Sequence, residues 1–264
     1  MRTLLIATAA LLAAVPSADA ALVSISDNGA SFTWNTDATD NNASFFAPGS
    51  NNMQFAEVWM LEVGGVRQAL TGGTLSVNAP NSASVNFGNV LGLNVAISST
   101  ITGLAPGVAS QSISAVLLNT SGGPLSYSLY RYFDYDLGPD LNANSGEINA
   151  AGFSVTSAYN AITGVLSTPA NGADLGPYDD LLDHLNNGGN LTPVNGTISF
   201  GPGDLTGAFQ WNGTLGNGGL AVFSSVHTTA AGVPEPSSLA LLGLGAVPMV
   251  LKRRRRAKAE QAEA

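Results

Sequence analysis

From Leu22 onward the chain is cut by turn signals at intervals of roughly 10 to 20 residues. They include Gly64-Gly65, Gly72-Gly73, Ala79-Pro80-Asn81, Ala105-Pro106-Gly107, Gly122-Gly123-Pro124, Gly138-Pro139, Gly188-Gly189-Asn190 and Gly201-Pro202-Gly203. Glycine supplies positive φ and proline ends a run, so no long helix fits between such punctuation. The intervening segments alternate. Leu91, Leu93, Val95 and Ile97 would share one face of a strand, with Gly92, Asn94 and Ala96 on the other.

The same reading gives strands at Ala30–Trp34, Gln54–Val63, Thr74–Val77, Ile113–Leu118, Leu125–Tyr135, Gly152–Thr156, Gly196–Phe200, Leu205–Trp211 and Leu220–His227. Strands with one apolar face each must close on one another. The expected fold is all-β, an antiparallel β-sandwich, jelly-roll-like or another two-sheet form. Helical spacing is confined to Tyr178–Leu185, a short helical insert in which Leu181, Leu182 and Leu185 face inward. No fixed-period repeat points to a solenoid or propeller.

Both ends carry a different signature. Arg2, the apolar run Leu4–Val15 and the small-x-small sequence Ala18-Asp19-Ala20 before Ala21 have the layout of an export signal helix, residues 1–20. The other end reads Val233-Pro234-Glu235-Pro236, then an apolar run over Ser237–Leu251, then Lys252 and Arg253, Arg254, Arg255 and Arg256. That apolar run is shorter than the roughly 20 residues a standard spanning helix needs, and it contains Pro248.

The order of hinge, apolar helix and basic stop resembles the PEP-CTERM sorting signal of exopolysaccharide-producing bacteria. The resemblance implies an exosortase-type membrane protease as partner, transient inner-membrane anchoring, and removal of the arginine block. A single-pass anchor that is never cut is the alternative. The expected organisation is a signal peptide at 1–20, one exported domain at 21–232, a sorting and anchor segment at 233–256 and a cytoplasmic tail at 257–264.

Charge narrows the partners. Residues 21–232 hold two arginines, Arg67 and Arg131, and no lysine, against fourteen acids, a net charge of −12. Such a body has no basic stripe for phosphates, which argues against nucleic acid. It repels anionic polysaccharide unless divalent cations intervene, and leaves neutral glycans, cations and proteins as partners. The absence of cysteine removes disulfides, thiolate metal sites and cysteine nucleophiles.

Four features could carry chemistry. In Leu125–Tyr135, Arg131 sits among the apolar odd positions, where it must snorkel to water or meet a carboxylate. The even positions bring Tyr130 and Tyr132 beside Asp134 and Asp136, which suits a neutral sugar stacked on rings, or an ordinary solvated face. Asp134, Asp136, Asp140, Asn142 and Asn144 are hard oxygen donors in one turn-rich stretch. Ser145 and Ala151 stand where an EF-hand requires Gly and Glu, so the alternatives are another kind of Ca²⁺ loop and an Asx-rich turn. Asp180 and His184, four apart on the helix, could pair on a metal or a proton, or simply face water.

The functional expectation is an exported, non-enzymatic protein of the cell surface or extracellular matrix, with weak glycan or calcium binding and no obligatory cofactor. A hydrolase using paired carboxylates on matrix polysaccharide and a self-associating structural sandwich are the alternatives.

Overall fold

The computed structural model of the chain describes residues 22–36, 42–138 and 140–231. The signal residues Ala18, Ala20 and Ala21, and the tail with its hinge and arginine block, lie outside the described residues. Among those described, no helix is long and apolar enough to cross a membrane.

Strands β1 (Leu22–Asp27), β2 (Ala30–Asn35) and β3 (Ala43–Phe46) form a small meander. Then come β4 (Ala56–Val63), β5 (Val66–Ala69), β6 (Thr74–Ala79), β7 (Ser82–Val90), β8 (Leu93–Ala105), β9 (Val108–Asn119) and β10 (Leu125–Asp134). A 3-10 turn at Leu141–Ala143 leads to β11 (Asn144–Asn149), β12 (Gly152–Thr156), β13 (Asn160–Leu166) and β14 (Gly172–Pro177). Helix α1 (Tyr178–Asn186) precedes β15 (Ile198–Gly203), β16 (Leu205–Leu215) and β17 (Leu220–Ala231).

Two large sheets result, one of five strands in the order β14-β16-β10-β4-β5 and one of nine in the order β15-β11-β12-β13-β17-β9-β8-β7-β6. Every pairing is antiparallel. The expected β-sandwich is present, with β1–β3 as a third sheet that the alternation pattern did not announce.

The core between the sheets is aromatic. Phe133 on β10 stacks on Phe153 of β12 at 4.5 Å between ring centroids, and Trp211 on β16 meets Phe223 of β17 at 5.4 Å. Each such ring, fully buried, contributes about 1.5–3 kcal/mol. Glycine makes room for them. A Cβ on Gly164, the cross-strand partner of Phe153, would lie 2.0 Å from that ring's Cε1, so the strand stays bare where the ring crosses it. The third sheet feeds the same core through Val23, Ile25, Phe32 and Trp34, and the Trp34 indole N–H donates to Glu57 O at 3.0 Å.

The alternating run at Leu91–Ile97 needs one correction. Leu91 and Gly92 have φ of 53° and 90° and make the β7–β8 turn, so the strand starts at Leu93. From there Leu93, Val95 and Ile97 point inward as expected.

Strand β10 is buried on both faces. Its odd positions enter the core between the sheets; its even positions, Tyr130 and Tyr132, lie in a second apolar cluster with Val58, Met60, Ala208 and α1's Leu181 and Leu185. α1 is held there by Arg67. Its guanidinium lies 3.9 Å over the Tyr130 ring, pairs with Glu62, and donates to the carbonyls of Leu185 and Gly189 at 2.8 and 2.7 Å. A cation on the carbonyls ending a helix also opposes its dipole favourably.

Candidate functional site

Arg131 does not snorkel. Its Nε and Nη2 donate to the two carboxylate oxygens of Glu57 at 2.7 and 3.0 Å, with Arg131 0% and Glu57 1% exposed. Nη1 reaches across to the other sheet, to Ser225 Oγ at 2.9 Å and His227 Nε2 at 2.8 Å. Since a guanidinium only donates, Nε2 is the acceptor and the neutral ring carries its proton on Nδ1, which faces the Tyr135 hydroxyl at 2.8 Å. Burial, and then the charge of Arg131, hold His227 well below its ordinary value, while burial pushes the Tyr135 phenol up. This arginine, carboxylate and histidine group has the composition of a catalytic constellation but is sealed between the sheets. Chemically it is a polar strut joining β4, β10 and β17.

The sugar-stacking face expected at Tyr130, Tyr132, Asp134 and Asp136 is not open. Both tyrosines are 0% exposed beneath α1, whose leucines bury the apolar ring faces more favourably than water does. The period-2 pattern correctly separated the two faces of β10. It could not reveal that a helix beginning 44 positions after the strand ends covers the second one.

The oxygen-rich stretch divides. Asp140 accepts from Asn142 N at 3.1 Å and caps the 3-10 turn, as an Asx turn does; Asn142 is exposed, and Asn144 is buried in β11. Asp134 and Asp136 instead meet Asp204, which sits between β15 and β16. One carboxylate oxygen from each lies within 4.8 Å of the others. Asp134 is 2% exposed. Burial, with the charges of Asp136 and Asp204 behind it, pushes its carboxyl up to about 8, and burial with Asp204 pushes Asp136 up to about 6. No sequence signal marks Asp204, because it lies 68 positions beyond Asp136 and only the pairing of β10 with β16 closes that distance.

Asp180 and His184 share α1, but His184 Nε2 lies 3.0 Å from Asn190 O and closes the loop behind the helix. With His227 inside the core, the two histidines occupy separate environments.

The outer face of the nine-stranded sheet carries a groove of about 680 Å³ over β11, β12 and β15. Register explains its lining. Glu147 pairs with Ser154 on one side and Ser199 on the other, and Ser145 pairs with Thr156, so five polar side chains share one face. Phe200 and Pro202 add apolar surface.

Two solved structures share this two-sheet architecture. A candidate aldose 1-epimerase of Escherichia coli K12 superposes with a TM-score of 0.51 at 8% identity, covering 81% of this chain and 100% of that one. A galactose mutarotase related enzyme of Lactobacillus acidophilus gives 0.51 at 7% identity, covering 81% and 99%. At this identity the likeness is one of fold. No curated protein matches the chain in sequence. Residues 232–256 match the PEP-CTERM protein-sorting motif, so the chain carries the exosortase sorting signal of an exported, envelope-directed protein.

Proposed function

We propose that the protein is a non-catalytic β-sandwich of the cell surface or extracellular matrix, released from its tail by exosortase, which binds neutral glycan in the groove over β11, β12 and β15. The observation that carries this reading is the lining of the groove. The four hydroxyls of Ser145, Ser154, Thr156 and Ser199 donate and accept, Glu147 accepts, and Pro202 with the half-buried Phe200, which pairs with Gly146 and also packs on the core, adds apolar surface, the complement of a sugar hydroxyl edge and its C–H face. A glycosidase needs two carboxylates about 5–10 Å apart, whereas Glu147 is the one carboxylate among the described residues lining the groove. The sugar-directed names of the two fold relatives agree with this reading without carrying it.

The test is a neutral glycan array probed with the full chain, alongside Phe200→Ala and Glu147→Gln. Retention of a neutral glycan, weakened at least tenfold by either change, is expected. Retention that ignores both changes, or release of reducing sugar that Glu147→Gln abolishes, overturns the reading. Concentration-dependent assembly without glycan retention would point to the self-associating alternative. Mass spectrometry of surface protein from the producing cell should find a C-terminus lacking Arg253–Arg256. An intact arginine block would defeat the release step.

A further inference from the structure

We propose that Asp134, Asp136 and Asp204 form a divalent-cation site of calcium type at the corner where β10 ends and β16 begins. Ca²⁺ binds oxygens at about 2.3–2.6 Å, so ligands on one ion lie at most about 5 Å apart. The three carboxylates meet that limit, each having an oxygen within 4.8 Å of the other two.

Two observations independent of the cluster itself point to a ligand. Asp134 is 2% exposed, and its Oδ1 has no hydrogen-bond partner among the described residues; Oδ1 of Asp136 is likewise buried and unpartnered. A buried carboxylate oxygen without a donor is costly, and a buried charge needs a counter-charge. Nor can the body supply one. Its two arginines are committed elsewhere, Arg131 to Glu57 and Arg67 to Glu62. Protonation is the remaining internal remedy, in line with the raised affinity of both groups for a proton.

The donor set is all carboxylate, with no histidine or thiol, which selects a hard cation over zinc or copper. Three carboxylates supply three to six of the six to eight oxygens calcium takes, and water completes the shell. The backbone around the site is already fixed. Asp134 O accepts from Phe55 N at 3.0 Å and Asp136 N donates to Met53 O at 3.1 Å, so the cation meets a held corner rather than a loose loop. Glu147, in the groove, takes no part, so the site stands or falls apart from glycan binding.

The test is calorimetric titration of the full chain, freed of metal by chelator, with CaCl₂ and separately MgCl₂, and a melting curve for each. One ion per chain is expected, with Tm raised by roughly 5–10 °C at calcium a hundredfold above its Kd. Asp204→Asn should lose at least tenfold in affinity while melting no lower than the wild type in chelator, because it removes one of three mutually repelling charges. The exposed Asp183→Asn should keep the full response. A similar response to Mg²⁺ supports the site as one for hard divalent cations. No heat and no Tm change with either ion in the wild type, or a calcium response that survives Asp204→Asn, overturns the proposal.

Discussion

The substitution that most directly probes the junction of the two sheets is Glu57→Gln. It keeps the shape of the side chain and removes the carboxylate that, among the described residues, is bonded to Arg131, whose guanidinium is 0% exposed. The amide can offer one acceptor oxygen, but its NH₂ faces a donor, and a full positive charge is left without a counter-ion in the core. Removing one partner from a buried pair costs about 3–5 kcal/mol. The contacts of Nη1 to Ser225 and His227 are untouched and add nothing to the loss. Against a total stability of about 5–15 kcal/mol this is a fifth or more of what holds a domain folded. With a urea m-value of about 2 kcal/mol/M the midpoint should fall by roughly 2 M at unchanged slope. Arg131→Met alone strands Glu57 in the same way. The double variant removes both charges, so it should be more stable than the sum of the singles predicts, by about 3 kcal/mol. A midpoint shift under 0.5 M for Glu57→Gln, or strict additivity in the double variant, would refute the view that this pair, rather than the surrounding aromatics, organises the junction.

Three further outcomes follow from particular contacts. Arg67→Ala frees the end of α1 and uncovers Tyr130; we expect a loss of about 1–2 kcal/mol and faster amide exchange confined to residues 178–191, whereas uniform exchange would contradict the anchoring role. Gly152→Ala places a Cβ 2.0 Å from the Gly164 carbonyl oxygen on the neighbouring strand, a backbone contact that cannot rotate away, and should cost about 1–3 kcal/mol in thermal unfolding; a change below 0.5 kcal/mol would sink the argument. Because the native His227 refuses the proton that the unfolded chain accepts below about pH 6.5, wild type should lose stability relative to His227→Gln as pH falls, by up to about 1.4 kcal/mol per unit below pH 6. Parallel pH curves for the two proteins would show that the histidine is not held neutral.

The fold class was legible because alternation and turn chemistry are local. Gly152–Thr156 was placed to the residue as β12, and β10, β16 and β17 were found within a few positions at their ends. What escaped was of two kinds. β11 (NSGEIN) and β14 (GADLGP) carry too few apolar residues to show a period; β11 exists because β12 and β15 complete its ladder on both sides, and β14 because it pairs along β16 at the sheet edge. The sites escaped because they are made by pairing. Arg131 in an apolar row announced a buried partner without naming Glu57, and Asp134 and Asp136 announced an acidic corner without Asp204. The tyrosines misled for the same reason, since only the packing of α1 decides whether that face of β10 meets water.

Charge ties these parts together. A body with fourteen acids and two arginines would best offset its field by holding those arginines at the surface. Both instead go inward, one as a strut between the sheets and one as a clamp beneath α1, each with its own glutamate. The pairs cancel locally and leave the domain a net charge of −12, so long-range attraction to an anionic polymer is not available to it. On the proposed reading, matrix is then recognised by short-range hydrogen bonding and apolar contact in the groove over β11, β12 and β15, or through a divalent cation at the Asp134, Asp136 and Asp204 corner, which would reverse the local sign. The six basic residues of the tail do not alter this conclusion, because the sorting motif, which contains five of them, implies processing by exosortase.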